Sequence, residues 1–178
     1  REILASALVI NTGNHSGKEV VQIYLEKPQG KLGQPARQLV AFAKTGLLAP
    51  GQSEKLTLEI GLDKLTSYSE KEAAWILEKG TYVIWAGNSL ADSVPCGVLK
   101  LDEEVILTKT DNICPLKEDL DELKQVPEKM QEKYKKRLKG KEITLDADLL
   151  RKVAETAGTK KYTKWADKLN ASIANQIP

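Results

Sequence analysis

The side chains that most often carry out chemistry are sparse in this chain. Its single histidine, His15, lies in the loop sequence Gly13-Asn14-His15-Ser16-Gly17, which is typical of a solvated turn. The two cysteines, Cys96 and Cys114, have no CxxC spacing and no histidine cluster beside them, which argues against a zinc site. We expect free thiols, and the spacing leaves a bridge between them open. The sequence predicts no catalytic residue, no cofactor site and no metal site.

Four aromatic residues are the other candidates for ligand binding. Trp75 and Trp85, together with Tyr24 and Tyr82, could present ring faces on which a sugar ring stacks. The same residue types commonly fill the core of a β-sandwich and stabilise its corners, and we favour that interpretation. Trp75 and Trp85 are kept as candidate sugar-stacking residues.

The charge balance argues against two classes of partner. Over 178 residues the net charge is +2, too small to attract nucleic acid or a membrane by charge alone. No apolar run reaches the ~20 residues of a membrane-spanning helix. The basic run 133–139 follows Glu128 and Glu132, which predicts a solvated helical face with ion pairs rather than an RNA-binding surface. We expect no nucleic acid and no membrane partner, and the oligomeric state stays open.

The first part of the chain has the pattern of short β-strands. Apolar and β-branched runs are separated by turn signals such as Asn11-Thr12-Gly13-Asn14. Strands are predicted at 3–10, 20–25, 39–42, 56–60, 81–85, 98–101 and 105–107. Short, regularly spaced strands favour a sandwich over a parallel α/β sheet. The sequence therefore predicts a mainly β fold, a β-sandwich, over residues 1–108.

Residues 109–178 have a different character, with thin helical stripes among many charged residues. Pro115 and Pro127 suit helix starts. The stripes are Leu116, Leu120 and Leu123; Met130, Tyr134 and Leu138; Leu149, Leu150 and Val153; and Tyr162, Trp165, Leu169 and Ile173. Thr144 or Asp146 is the expected cap of the third helix, which should end near Gly158. Such thin stripes need a packing partner, so a small α-helical or linker region is predicted, leaning on the sandwich or on another part of a longer protein. Because Arg1 already lies in a strand pattern, we expect the chain to be a piece of such a protein.

Several motifs at consistent spacing connect residues 5–90 to a known family. An Asn-x-Gly turn is followed by Gly-x-Glu-Val-x-Gln-x-Tyr, by Pro-x-x-x-Leu-x-x-Phe, by Leu-x-Pro-Gly and by a closing aromatic segment. The matching residues are Asn11 and Gly13; Gly17, Glu19, Val20, Gln22 and Tyr24; Pro35, Leu39 and Phe42; Leu48, Pro50 and Gly51; and Trp75, Gly80, Tyr82 and Gly87. In this order they resemble the fibronectin type III-like domain of family 3 glycoside hydrolases, the β-glucosidase group.

The resemblance implies an immunoglobulin-like or fibronectin type III-like sandwich that serves as a non-catalytic accessory domain. The enzymes of this family cleave terminal β-glycosidic bonds with a carboxylate nucleophile and a separate acid/base carboxylate. The nucleophile lies in a Ser-Asp-Trp-like motif on a separate barrel, which also carries a substrate-binding Lys-His pair. Here the three Trp residues follow Ala74, Ile84 and Lys164, and His15 follows Asn14, so neither motif is present. The implied partners are the catalytic domains of the same parent glycosidase, before or after this piece. A stand-alone carbohydrate-binding or adhesion module is the alternative.

The residue types within 33–60 predict how this segment connects the strands. Pro35 cannot donate to a strand ladder, so 33–37 should be a rigid connection, with Arg37 pairing with a carboxylate or capping carbonyl groups. We expect Leu39 and Phe42 to fill the core, and the whole segment 33–60 to be a crossover that locks two sheets together.

Two further features are predicted at turns. Pro50-Gly51 should form a tight turn in which Gly51 has a positive φ. Tyr82 in Gly80-Thr81-Tyr82 has the pattern of a tyrosine corner, whose hydroxyl ties a crossing loop to the strand. Free thiols and the lack of a visible signal peptide favour a cytoplasmic location.

Overall fold

The structure is a computed structural model that describes residues 2–111, 138 and 142–155. Within these residues the fold is mainly β, as predicted, with a short 3-10 helix at Leu62–Leu65 and one α-helix, α1 (Ala147–Glu155). The strands are β1 (Glu2–Ile10), β2 (Val20–Glu26), β3 (Gln38–Lys44), β4 (Ser53–Gly61), β5 (Ser67–Ser69), β6 (Ala74–Leu77), β7 (Gly80–Gly87), β8 (Val94–Leu101), β9 (Val105–Lys109) and β10 (Glu142–Leu145).

The described strands form three sheets in two layers. The largest sheet has the order β10-β8-β7-β2-β3, and β1-β4 and β5-β6-β9 form the other two. A single apolar core contains buried residues from all three sheets, such as Ile3 of β1, Ile23 of β2 and Leu77 of β6. Strict alternation produces it: Leu56, Leu58 and Ile60 of β4 are buried while the residues between them are exposed. The predicted sandwich is confirmed.

The expectation that Leu39 and Phe42 fill the core is wrong. Leu39 is 46% exposed and Phe42 is 70% exposed. The reason is a β-bulge in β3: Leu39 pairs with Tyr24 and Ala41 pairs with Ile23, which leaves Val40 as an extra residue. A bulge shifts the alternation of side chains by one position. Val40 therefore points into the core, and Leu39 and Phe42 lie on the same outer side of the sheet.

The expected crossover is also placed differently. The connection 33–37 has no regular structure, as predicted, but it joins β2 to β3, which are neighbours in one sheet. The chain changes sheets at 45–52, between β3 and β4. There the amide of Gln52 donates to the carbonyl of Ala49 (2.9 Å), and Gly51 has φ 78°. The tight turn at Pro50-Gly51 is therefore confirmed, and it lies at the true crossing.

Beyond residue 108 the structure shows one predicted helix and one strand that was not predicted. Helix α1 begins after Asp146, whose Oδ1 accepts a hydrogen bond from the amide of Leu149 (3.1 Å). Asp146 is thus the N-cap, and Thr144 lies in β10, which pairs in parallel with β8. Leu145 and Leu150 belong to the core. The first and fourth helical stripes, the second stripe and the basic run except for Leu138, and Cys114 lie outside the described residues.

Candidate functional site

Asn11 fixes the first turn of the chain against the crossing between the sheets. Its Nδ2 donates to the carbonyl oxygens of Leu48 (2.8 Å) and His15 (2.9 Å), and its Oδ1 accepts from the amide of Gly13 (3.0 Å). The backbone of Asn11 also exchanges hydrogen bonds with Gln52 (2.9 Å) and Gly51 (2.8 Å). One side chain thereby satisfies polar groups from two loops, which is a stabilising role.

Gln22 and Tyr24 form the middle of a polar chain on the outer side of the five-stranded sheet. The hydroxyl of Tyr24 donates to Oε1 of Gln22, and Nε2 of Gln22 donates to the carbonyl of Asn88 (2.6 Å). Gly87 lies opposite Gln22, where a Cβ would come within 2.7 Å of the Cα of Ser93. Since that neighbour is backbone, only glycine fits, and the loop 88–93 can close over the sheet.

Arg37 and Trp85 occupy the same outer side. The guanidinium carbon of Arg37 lies 3.5 Å from the ring centroid of Trp85. Nη1 of Arg37 donates to Oγ of Ser93 (3.0 Å) and to the carbonyl of Leu90 (3.3 Å), so Arg37 caps a carbonyl, one of its two predicted roles. The indole N–H of Trp85 donates to Glu26 (3.2 Å). With its ring covered by Arg37, Trp85 is only 2% exposed.

These contacts define what we call the outer face: Gln22, Tyr24, Leu39, Phe42 and Trp85, on β2, β3 and β7. Cross-strand partners share a side of a sheet, and Phe42 pairs with Gln22 while Leu39 pairs with Tyr24. Tyr24 and Trp85 are buried in a small cluster with Val83, Val98 and Leu138. The outer face therefore has a covered half and an open half, and the open half consists of Leu39 and Phe42. Pro35 is exposed in the preceding connection.

Tyr82 points in the opposite direction, into the core. It is 1% exposed, and its hydroxyl donates to the carbonyl of Glu78 (2.8 Å), the contact that a tyrosine corner requires. Burial, reinforced by the charge of Glu78, raises the pKa of the Tyr82 phenol well above its ordinary value. Tyr82 is therefore a neutral, anchored group at any pH near neutrality.

A buried lysine lies near this corner. Lys27 is 6% exposed, and its Nζ donates to the carbonyl of Thr66 and to Oγ of Ser67 (3.4 Å). Burial lowers the pKa of Lys27 to about 8, and the nearby carboxylate of Glu78 opposes this shift. Glu78 accepts hydrogen bonds from the amides of Lys31 (2.7 Å) and Leu32 (3.3 Å), yet its own burial raises its pKa. Lys27 thus connects the end of β2 to residues 66–67, and Glu78, which follows β6, holds the loop at Lys31 and Leu32.

Lys27 also lines the cavity of Trp75, which we call the Trp75 cavity. It has a volume of about 660 Å³ and lies between the β5-β6-β9 sheet, the 3-10 helix and α1. Its walls include Gln38, Asp63, Thr108 and Leu107. Trp75 is 43% exposed, and its ring packs against Tyr68 with centroids 5.3 Å apart at an interplanar angle of 57°.

The four aromatic candidates do not converge. Trp75 lies on β6, in a different sheet from Trp85 on β7, while Tyr24 is on the outer face and Tyr82 in the core. The polar residues around Trp75 were missed from the sequence because Lys27, Gln38, Asp63 and Thr108 are widely separated along the chain. The one local signal was Lys27 at the end of an apolar strand and before Pro28, where the side chain has to follow the sheet edge.

The described part of the chain lacks two kinds of feature, a metal-binding cluster and a membrane-spanning helix. It holds no group of three or more side chains placed to bind a metal ion. None of the helices seen in it has the length and apolarity needed to cross a membrane. Cys96 is buried, with its Sγ 3.4 Å from the carbonyl oxygen of Ile84, and the predicted thiol state of both cysteines stays a prediction.

Comparison with known sequences gives a consistent family. Residues 19–90 match the model of the fibronectin type III-like domain. The chain is 47% identical to β-glucosidase A of Butyrivibrio fibrisolvens over 95 residues, which is 51% of this chain and 11% of that protein. It is 37% identical to a β-glucosidase of Ruminococcus albus over 110 residues, or 59% of this chain and 12% of that protein. The chain thus spans only about a tenth of these curated relatives.

Solved structures give the same picture. The fold matches a β-glucosidase from Paenibacillus barengoltzii with a TM-score of 0.57 and 40% identity, covering 58% of this chain and 12% of that one. It matches β-glucosidase 3B from Thermotoga neapolitana with a TM-score of 0.52 and 31% identity, covering 59% and 16%. The motif series from Gln22 to Gly87 and the sandwich agree with these comparisons: residues 19–90 are similar to the fibronectin type III-like domain, and the relatives that contain the matching segment are β-glucosidases.

Proposed function

We propose that this chain belongs to a β-glucosidase of the family 3 glycoside hydrolases and serves there as a non-catalytic accessory domain. One observation carries the proposal: the domain at residues 19–90 is related to a segment that makes up 11% and 12% of two β-glucosidases. The carboxylates that cleave the glycosidic bond then belong to other domains of the parent protein, and this chain stabilises those domains by packing against them.

The open half of the outer face is the surface that suits this role. Phe42 is 70% exposed and Leu39 is 46% exposed, and both lie within the matched segment. Burying a side chain of this size contributes roughly 1.5–3 kcal/mol. Their surroundings are held rigid by the stacking of Arg37 on Trp85, so little order is lost on docking. We assign the catalytic domains of the same parent as the occupant of this face.

A domain exchange tests the proposal. In β-glucosidase A of Butyrivibrio fibrisolvens, the segment matched by this chain is deleted or replaced by this chain's own domain. We expect the exchange to restore much of the hydrolysis of an aryl β-glucoside and the thermal stability that the deletion removes. An unrelated β-sandwich of similar length, inserted at the same place, is the matched control and should restore neither.

Two variants of the exchanged protein locate the contact. Phe42→Ser should lower its melting temperature, whereas Leu47→Ser should not, because Leu47 is similarly apolar, is 65% exposed and lies in the same matched segment but outside the outer face. The chain by itself should not hydrolyse the aryl β-glucoside. Turnover by the isolated chain at an enzyme-like rate, or an exchange no better than the unrelated sandwich, would refute the accessory role.

A further inference from the structure

We propose that the Trp75 cavity binds a neutral pyranose sugar, with the exposed indole face of Trp75 against the C–H face of the sugar ring. This site is separate from the outer face and does not depend on the accessory role. The same chain would then hold a saccharide on one side and its parent's catalytic domains on the other.

The aromatic wall has the properties that a sugar platform requires. Trp75 is 43% exposed, and its ring is supported by a neighbouring aromatic side chain. Tyr68 packs against it with centroids 5.3 Å apart, and the hydroxyl of Tyr68 lies 3.2 Å from Oγ1 of Thr110. An aromatic ring that already packs against a neighbour loses little freedom when a ligand covers its exposed part.

The polar wall can satisfy hydroxyl groups. Gln38 supplies an amide, Asp63 a carboxylate and Thr108 a hydroxyl, and all three line the cavity with Trp75. Lys27 adds an ammonium group with three donors, of which the carbonyl of Thr66 and Oγ of Ser67 take two. Donors and acceptors therefore surround an apolar platform, the arrangement that gives small-molecule sites their specificity.

Charge and size narrow the ligand to a neutral one of sugar dimensions. The cavity lining carries both signs of charge, with Lys27 and Lys64 beside Asp63, and Lys64 pairs with Asp63 (3.5 Å), so neither an anion nor a cation meets a field of one sign. A volume of about 660 Å³ lies within the roughly 300–1,000 Å³ usual for ligand pockets. One or two pyranose units fit in that space.

Titration of the full chain with cellobiose tests the site. Tryptophan fluorescence and calorimetry should both show saturable binding, with a Kd on the order of a millimolar. Trp75→Ala should weaken binding at least tenfold, whereas Trp75→Phe, which keeps an aromatic face, should restore most of it. Gln38→Ala should give a smaller loss, because it removes one hydrogen-bonding partner and leaves the platform intact.

Phe42→Ala is the matched control, since Phe42 is the most exposed aromatic of the outer face and lies outside the cavity. Its Kd should stay within twofold of the original. Far-ultraviolet circular dichroism of each variant separates loss of binding from loss of fold. The proposal fails if cellobiose gives neither heat nor a fluorescence change, or if a folded Trp75→Ala variant binds as tightly as the original chain.

Discussion

The guanidinium of Arg37 lies 3.5 Å from the ring centroid of Trp85, and this contact joins the connection before β3 to the middle of β7. The same guanidinium also holds the loop 88–93 through Ser93 and Leu90. Three separate parts of the sequence thus meet at one cation.

Arg37→Ala should lower the free energy of unfolding by about 1–2 kcal/mol, because a half-buried cation–π contact and two hydrogen bonds are lost together. Arg37→Lys should recover only part of the lost free energy of unfolding, since an ammonium group cannot stack flat on the ring and also reach both acceptors. Urea denaturation measures the change. Arg151→Ala is the control: Arg151 pairs with Glu103 and Asp148 at the surface, and its removal should matter less. Equal effects of the two Ala variants would contradict this account.

Phe42→Ala should change the free energy of unfolding of the isolated chain by less than about 1 kcal/mol, because the side chain is already in solvent. Ile23→Ala, on the neighbouring strand and 2% exposed, should cost about 2–5 kcal/mol. Thermal and urea denaturation of both variants test the bulge at Val40 directly. A large loss for Phe42→Ala would mean that the Phe42 side chain is buried and that β3 lacks the bulge at Val40.

Tyr82→Phe should lower the free energy of unfolding by about 1–3 kcal/mol, since it leaves the buried carbonyl of Glu78 without the hydroxyl donor. Tyr68→Phe removes a hydroxyl that is exposed beside Thr110, and should have a smaller effect. Urea denaturation of the two variants at pH 7 gives the comparison. If the two losses are the same, the Tyr82 hydroxyl does not anchor the corner.

The stability of the fold should rise as the pH increases from about 8 towards 10. Burial lowers the pKa of Lys27 from 10.5 to about 8 in the folded protein, so in this window the unfolded chain binds more protons than the folded one. By linkage, the free energy of unfolding therefore increases with pH between about 8 and 10. The destabilisation caused by burying Lys27 is fully present below pH 8, the folded-state pKa. Above pH 10 the raised pKa of Tyr82 acts in the opposite sense, since the unfolded phenol then loses its proton first.

Lys27→Met tests the assignment because it keeps the length of the side chain and removes the charge. Urea denaturation at pH 7, 8, 9 and 10 should show a smaller rise for the variant than for the original chain. Lys64→Met is a suitable control, since the side chain of Lys64 is 51% exposed. If Lys27→Met leaves the pH profile unchanged, another group is responsible for the rise.

The sequence predicted those parts of the fold that depend on local pattern. Alternation in 56–60 identified β4 and its buried side, and Pro50-Gly51 and Asp146 were recognisable because a turn and a helix cap have local chemical requirements. The motif series from Asn11 to Gly87 predicted the family, because several spaced residues serve one arrangement of loops.

Features set by distant partners were not visible. The bulge at Val40 depends on how β3 pairs with β2, which the residues of β3 alone do not determine, so the expectation that Leu39 and Phe42 fill the core was wrong. The burial of Lys27 depends on Thr66 and Ser67, which lie far along the chain. The division of the chain at residue 108 and the cytoplasmic location stay predictions.

Strand β10 has a consequence for how this protein can be shortened. It pairs with β8 and covers backbone amide and carbonyl groups of β8 that would otherwise be exposed at the edge of the sheet. An uncovered edge strand can pair with a strand from another molecule. A truncation just after β9 would keep every motif of the family and still expose β8 as an edge strand. Strand β10, although it lies outside the family motifs, thus protects the sheet against self-association.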